Sequence, residues 1–125
     1  MKIYVASHDL QLGQQVAEAL KQQGYEITAR WLRQEFKHTD ERSEEDKRRI
    51  ACEDYNDVVL SDILVLISGN DKYPGGKFVE VGIALARGKE VIVIGRRENM
   101  LMWHPLVSTC ANVYEVIEYL TKVKI

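Results

Sequence analysis

The chain has 125 residues, 46% of them hydrophobic and 29% charged, with a formal net charge of −2. That length suits a single domain over residues 1–125 with a core of its own and leaves little room for a second. The charge balance lacks the basic footprint of a nucleic-acid binder, and no stretch approaches the roughly 20 apolar residues that a membrane span needs. Residues 1–7 are too short an apolar run for a secretory leader, so the expected compartment is the cytoplasm and no membrane partner is expected. Cys52 and Cys110 show neither CxxC spacing nor a neighbouring His pair. This argues against a metal site, and both cysteines read as reduced core residues.

Residues 3–6, IYVA, make a short β-rich run. Leu10, Val16, Ala17 and Leu20 then form an apolar helical stripe, with Gly24 as its stop. Residues 25–31 alternate Tyr25, Ile27 and Ala29 against Glu26, Thr28 and Arg30, which is the period of a second strand. The stretch 37–49 mixes charges of both signs and reads as a loop running into the solvated face of a helix; a lid over the site is the alternative. On that alternative, Trp31 and residues 33–40 lie at the mouth of the pocket. Residues 43–60 read as a longer helix, with Ser43 and Asp46 as a cap pair. Residues 63–67, ILVLI, and 91–94, VIVI, lack polar alternation, as strands covered on both faces do. Residues 77–87 read as a helix packing Phe78, Val81 and Leu85 and ended by Gly88. Leu101, Met102 and Trp103 stand in an expected loop, where they either mark a contact between chains or cap the core. A short fifth strand is expected at 107–110. Asn112 with Glu115 then opens a last helix carrying Val116, Ile117 and Leu120. Strands alternating with helices imply right-handed crossovers. The predicted fold class is therefore α/β, a three-layer fold around a five-stranded parallel sheet ordered 2-1-3-4-5.

In such a sheet, ligands bind beyond the carboxyl ends of the strands where the strand order reverses, here after the first and third strands. The first of these turns is Ser7-His8-Asp9. The second runs from Ser68 through Asp71 and Tyr73 to Gly75 and Gly76 and opens directly into a helix. Gly75 and Gly76 permit close approach of backbone to ligand, and a helix N-terminus favours an anionic group, although a plain turn explains the same residues. Glu80 stands apart: a carboxylate inside FVEVGIALA is hard to explain by solvation, and Gly76 and Gly82 leave room beside it. Its bland explanation is a glutamate favoured by the helix dipole. On spacing alone, Asp54 reads as a surface helical residue among Glu53, Asn56 and Asp57, and Tyr4 as a core tyrosine with a satisfied hydroxyl. Trp31 and Tyr73 are spaced to flank a flavin ring, but they read first as core and loop aromatics, and no cofactor is predicted.

Taken together, these residues resemble the nucleoside 2-deoxyribosyltransferase family, including its nucleoside 5′-monophosphate N-glycosidase relatives. The resemblance rests on Ile3-Tyr4-Val5-Ala6-Ser7, on Asp54 eight positions before Asp62-Ile63-Leu64-Val65, and above all on residues 75–89, GGKFVEVGIALARGK, which are similar to the family's G-x-x-x-E-x-G-x-A helix. It implies a flavodoxin-like fold, usually a homodimer or a higher assembly, acting on a nucleoside or nucleotide. It further implies Glu80 as the nucleophile that forms a covalent glycosyl-enzyme at C1′, Asp54 as the group that orients substrate and assists the departing base, and Tyr4 as the hydroxyl that orients Glu80. Classical transferases carry a further aspartate six positions before the nucleophile; here Pro74 stands there, with Asp71 close by. The nucleotide-hydrolysing relatives surround a 5′-phosphate with serines, for which Ser7, Ser68 and Ser108 are the available residues, with His8 beside the first.

Fold alone separates no functions. An enzyme that cleaves or transfers an N-glycosidic bond is the leading expectation. A non-catalytic nucleotide-binding or sensing domain is the rival. A receiver-like module is disfavoured because the third strand ends in Ile67-Ser68 and not in a phosphorylatable aspartate.

Overall fold

The fold is that of a computed structural model describing residues 1–33, 41–69 and 75–123. In chain order it runs β1 (Lys2–Ala6), α1 (Leu10–Gln22), β2 (Glu26–Ile27), a 3-10 turn (Arg30–Arg33), α2 (Glu44–Leu60), β3 (Ile63–Ile67), α3 (Gly75–Ala86), β4 (Glu90–Ile94), a second 3-10 turn (Met100–Trp103), β5 (Val107–Cys110) and α4 (Val113–Val123). All pairings are parallel and the order is β2-β1-β3-β4-β5, as the alternation of elements predicts. Right-handed crossovers put α1 and α4 on one face and α2 and α3 on the other, and each pair packs together.

Local chemistry explains where the elements begin. Asp9 caps α1 by accepting the Leu12 N–H at 3.1 Å, and Ser43 caps α2 by accepting the Asp46 N–H at 3.1 Å. Asn112 accepts the Glu115 N–H at 3.0 Å, while the Glu115 carboxylate accepts the Ala111 N–H at 3.1 Å, a capping box shifted by one residue. Every residue of β3 is buried, as are Val91, Ile92 and Val93 of β4, which accounts for their unbroken apolar sequence.

The second strand is a correction. Residues 25–31 alternate as predicted, but only Glu26 and Ile27 are strand. The ladder on β1 runs from Glu26 N–H to Met1 C=O at 3.1 Å and from Thr28 N–H to Ile3 C=O at 3.0 Å. The next rung would take the Arg30 N–H to Val5. That N–H instead goes to the Asp57 carboxylate at 3.0 Å, and the Trp31 indole N–H reaches the Val5 carbonyl at 2.9 Å. A side chain thus replaces a backbone rung, and the chain turns into the 3-10 segment. Gly13 makes room for that segment on α1: a Cβ there would stand 2.8 Å from Leu32 Cδ2 and 3.0 Å from Trp31 Cη2.

Three further expectations change. Cys52 is exposed on α2 and does not belong to the core, whereas Cys110 is half-buried and packs against it; both are free thiols. Gly75 and Gly76 form the first turn of α3 rather than precede it. Of the apolar run after β4, Met102 caps the core whereas Leu101 and Trp103 are exposed, because a 3-10 turn sends neighbouring side chains in different directions. Of the expected lid, Trp31 with residues 33–40, the part 34–40 lies outside the described residues, as do Asp71, Tyr73 and Pro74.

Leu66, fully buried at the centre of β3, tests this core. Leu66→Ala is expected to lower stability by about 2–5 kcal/mol, read from the urea-unfolding midpoint, because the lost contacts leave a cavity in a sheet packed on both faces.

Candidate active site

Tyr4 sits in the middle of β1 with no exposed surface. Strand alternation sends Ile3 and Val5 to the α1 face and Tyr4 to the opposite one. There its hydroxyl donates to the Glu80 carboxylate on α3. The buried stripe of α3 is Lys77, Val81 and Ala84, and Glu80 falls on it by the i, i+3, i+4 rule. The helix therefore delivers its carboxylate to a position the pattern reserves for apolar side chains.

The electrostatics follow from that placement. Burial pushes the Glu80 carboxyl up to about 7; the Tyr4 hydrogen bond works against the rise and the Asp54 charge adds to it. Tyr4 is held well above its ordinary value, first by burial and then by the charge and hydrogen bond of Glu80. Asp54, half-buried on α2, is pushed up to about 6 by burial and by the charges of Asp57 and Glu53, while Arg30 and Arg42 draw it down. Among the described residues its carboxylate makes no hydrogen bond or ion pair. Tyr4, Asp54 and Glu80, from β1, α2 and α3, thus share one electrostatic neighbourhood.

Of the other predicted residues, those described lie after the carboxyl ends of β1 and β3. Ser7 follows β1 and exchanges hydrogen bonds with the Asp9 backbone at 3.0 Å, which shapes the turn into α1; His8 beside it is exposed. Ser68 follows β3, and its N–H donates to Ile94 at 2.9 Å. Its Oγ is buried and has no partner among the described residues. Gly95 packs on it: a Cβ there would stand 3.2 Å from both Ser68 Cβ and Ser68 O, at a φ of +115°. Gly75 and Gly76 are exposed, with open space where side chains would project, and their N–H groups belong to the unpaired first turn of α3.

Two charged residues were missed by reading the sequence. Asp57, taken there for a surface residue, is 3% exposed and binds Arg30. Lys77 has a buried side chain that pairs with Glu98 at 3.2 Å and lies 5.1 Å from the Phe78 ring centre, tying the start of α3 to the turn after β4. The spacing 54-57-58 on one helical face was the available signal for Asp57. Nothing in the sequence pairs Lys77 with Glu98.

The sequence profile described as nucleoside 2-deoxyribosyltransferase matches residues 3–113, which span every element placed in this arrangement except the body of α4. The chain belongs to the nucleoside 2-deoxyribosyltransferase family. Solved structures share its fold. The 2-deoxyribosyltransferase of the psychrotolerant bacterium Bacillus psychrosaccharolyticus is 24% identical, over 93% of this chain and 90% of that one, with a TM-score of 0.74. The CMP N-glycosidase BcmB of Clostridium botulinum is 16% identical over 100% of both chains, with a TM-score of 0.61. A conserved protein from Enterococcus faecalis V583 is 19% identical, over 95% of this chain and 87% of that one, with a TM-score of 0.59. No curated protein matches the sequence.

Other features of this family member lie apart from the carboxylates. A hollow of about 230 Å³ between α1 and the chain leaving β2, lined in part by Gln14, Lys21 and Leu32, contains none of the three grouped residues. Among the described residues no three His, Cys, Asp or Glu side chains gather as metal ligands would, and no helix is long and apolar enough to cross a membrane.

Holding Glu80 out of water has a cost that depends on pH. Its folded value, about 7, lies above the usual 4.5, so its contribution to stability is complete below about pH 4.5 and is lost as pH rises through about 7. The loss is on the order of 3 kcal/mol. Glu80→Gln is therefore expected to raise the melting temperature at pH 8 and to change it little at pH 4.5. A variant equally stabilised at both values would place the carboxylate in water.

Proposed function

We propose that the chain is an enzyme that cleaves or transfers the N-glycosidic bond of a (deoxy)nucleoside or nucleoside monophosphate through a glycosyl ester on Glu80. The hydrogen bond from the buried Tyr4 hydroxyl to the half-buried Glu80 carboxylate carries the reading. It favours the ionised form of a group whose burial opposes ionisation, and it fixes the carboxylate for attack. Family membership supports the chemistry, and so do the names of two fold relatives, a 2-deoxyribosyltransferase and a CMP N-glycosidase.

In this mechanism a Glu80 oxygen bonds to C1′ as the bond from C1′ to the base nitrogen breaks. The departing base takes that electron pair and receives a proton from Asp54. An acceptor base or water then attacks C1′ and gives its proton back to Asp54, and the Glu80 carboxylate leaves with its electrons. The first step needs Glu80 ionised and Asp54 protonated. With values of about 7 and about 6, the proton of the singly protonated pair rests mostly on Glu80, and the competent form, with Glu80 ionised and Asp54 protonated, is the minor arrangement of that state. A bell-shaped dependence of kcat/KM with its maximum between about pH 6 and 7 is expected. Ser7, His8, Ser68, Gly75 and Gly76 line the end of the crevice where the sugar and any 5′-phosphate would rest, and Asp71 belongs to the same proposed set. Metal and cofactor are not required by these steps.

The same reading makes the chain a single-domain cytoplasmic enzyme of nucleotide metabolism that acts as a homodimer. The exposed Met100, Leu101 and Trp103 side chains are the proposed contact. Sedimentation velocity is expected to show a dimer at micromolar concentration. A monomer throughout that range would reject the assembly.

Glu80→Gln is expected to keep the fold and to lose several orders of magnitude in glycosyl cleavage, because an amide can neither form the ester nor balance charge at C1′. Asp54→Asn should cost about 10²–10⁴-fold, and a substrate with a good leaving base should rescue it in part. Nucleosides and monophosphates, each with and without a free acceptor base, are assayed by chromatography of the released bases. Mass spectrometry with a slow 2-fluoro nucleoside should find the sugar on the peptide containing Glu80. Near-normal turnover by Glu80→Gln refutes the mechanism, and tight nucleotide binding without cleavage by the wild type substitutes the sensing role.

A further inference from the structure

Asp57 is a carboxylate with 3% exposure on the inner side of α2, one turn from Asp54. Residues three apart on a helix are surface neighbours, so the two carboxylates stand side by side. Both oxygens of Asp57 are occupied by one residue, Arg30. Oδ2 accepts the Arg30 backbone N–H at 3.0 Å and Nε–H at 3.1 Å, and Oδ1 accepts Nε–H at 3.0 Å and faces NH2 at 2.9 Å. The Asp57 carbonyl also accepts the Thr28 hydroxyl at 2.8 Å.

Fastening the chain that leaves β2 does not by itself demand a charge. A neutral asparagine would accept the Arg30 N–H equally well, and the Arg30 side chain, 45% exposed, would be hydrated without help. A buried carboxylate is the more costly choice, and what it adds is control over where the guanidinium sits. Released from Asp57, that guanidinium would feel the carboxylates of Glu53 and Asp54; Glu53 is already paired with Arg49 at 2.8 Å, whereas the Asp54 carboxylate has no ion pair among the described residues.

We propose that Asp57 is a positioning residue for Asp54: by gripping the Arg30 guanidinium and backbone N–H together, it keeps that cation from pairing with Asp54 and leaves Asp54 able to hold a proton. This rests on the proposed role of Asp54 as the acid for the departing base. The groups that face Asp54 are Glu53 and Asp57 on its own helix, Arg30 from the segment after β2, Arg42 ahead of α2, Tyr4 from β1 and Glu80 from α3. Of these, Arg30 is the cation whose position Asp57 sets.

The test follows the Asp54 carboxyl by carbon-13 NMR titration and, in parallel, compares turnover of an ordinary nucleoside with that of a 4-nitrophenyl deoxyriboside. Asp57→Asn frees Arg30 and removes a negative neighbour, so Asp54 should titrate lower by about one pH unit or more. At pH 6–7 less of it is then protonated. Turnover of the ordinary nucleoside should fall about tenfold, while the activated substrate, which needs no proton, stays within about twofold. Arg30→Gln should move the titration the opposite way, upward, and it keeps the test available should Asp57→Asn unfold. Loss of the Asp57 charge alone lowers Asp54 to the same extent with or without Arg30, so Asp57→Asn is also made in the Arg30→Gln background: the downward shift should be much smaller there, and an equal shift in both backgrounds overturns the proposal. If the wild type cleaves no nucleoside at all, the glycosidic reading fails while the two titrations still judge the Arg30 arrangement.

Discussion

Taking a carboxyl group out of water on an apolar helix face is unfavourable unless something inside receives it, and in this fold that receiver is the Tyr4 hydroxyl. The contact joins the middle of β1 to the second turn of α3. It can exist only if β1 and β3 lie side by side, so that α3, returning from β3 to β4, crosses over the face that Tyr4 occupies. The apolar remainder of α3 holds the helix down through Val81 and Ala84. Burial and hydrogen bond then act in opposite directions on Glu80, leaving it near neutrality in its readiness to ionise. A group so balanced is suited to attack and then to depart.

The outer edge of the sheet answers the same need by different means. After Thr28 the ladder on β1 is given up, the Arg30 N–H turns to Asp57, and the Trp31 indole fills the place at Val5. The Arg30 N–H and the Val5 carbonyl, which the ladder would have joined, each find another partner, as a strand that ends inside a structure requires. The exchange brings a guanidinium to α2 beside the second carboxylate. Gly13 allows the turn to press on α1. At the other end, Ser68 and Gly95 meet where β3 and β4 stop, and the lack of a side chain at Gly95 keeps the approach to Ser68 open.

Much of this was legible in the residue order. Unbroken β-branched runs at 63–67 and 91–94 require cover on both faces, and helices between them imply parallel pairing; the order 2-1-3-4-5 was one choice among those such a connectivity allows, and it is the one found. Glu80 was conspicuous because a lone carboxylate among apolar helical residues violates the periodic pattern. Caps at Ser43 and Asn112 are local interactions and were readable locally, whereas the Asp9 cap was not read. Asp54 and Tyr4, in contrast, had ordinary surroundings in sequence, and only the family resemblance singled them out.

What the sequence determined by itself was therefore what depends on neighbours within a few positions: the period of each element, the caps at Ser43 and Asn112, and the one residue out of keeping with its helix. Tertiary structure decided which distant groups share a low-dielectric neighbourhood. Asp57 looked like a solvated helical residue until Arg30, 27 positions away, was folded against it. Lys77 looked like an exposed helix start until Glu98 closed over it. The strand predicted at 25–31 was cut to two residues by a carboxylate and an indole that no local window contains. Alternation reports which side of a strand faces inward, whereas the length of a strand depends on whether a partner backbone remains beside it, and that is settled only when the whole chain has packed.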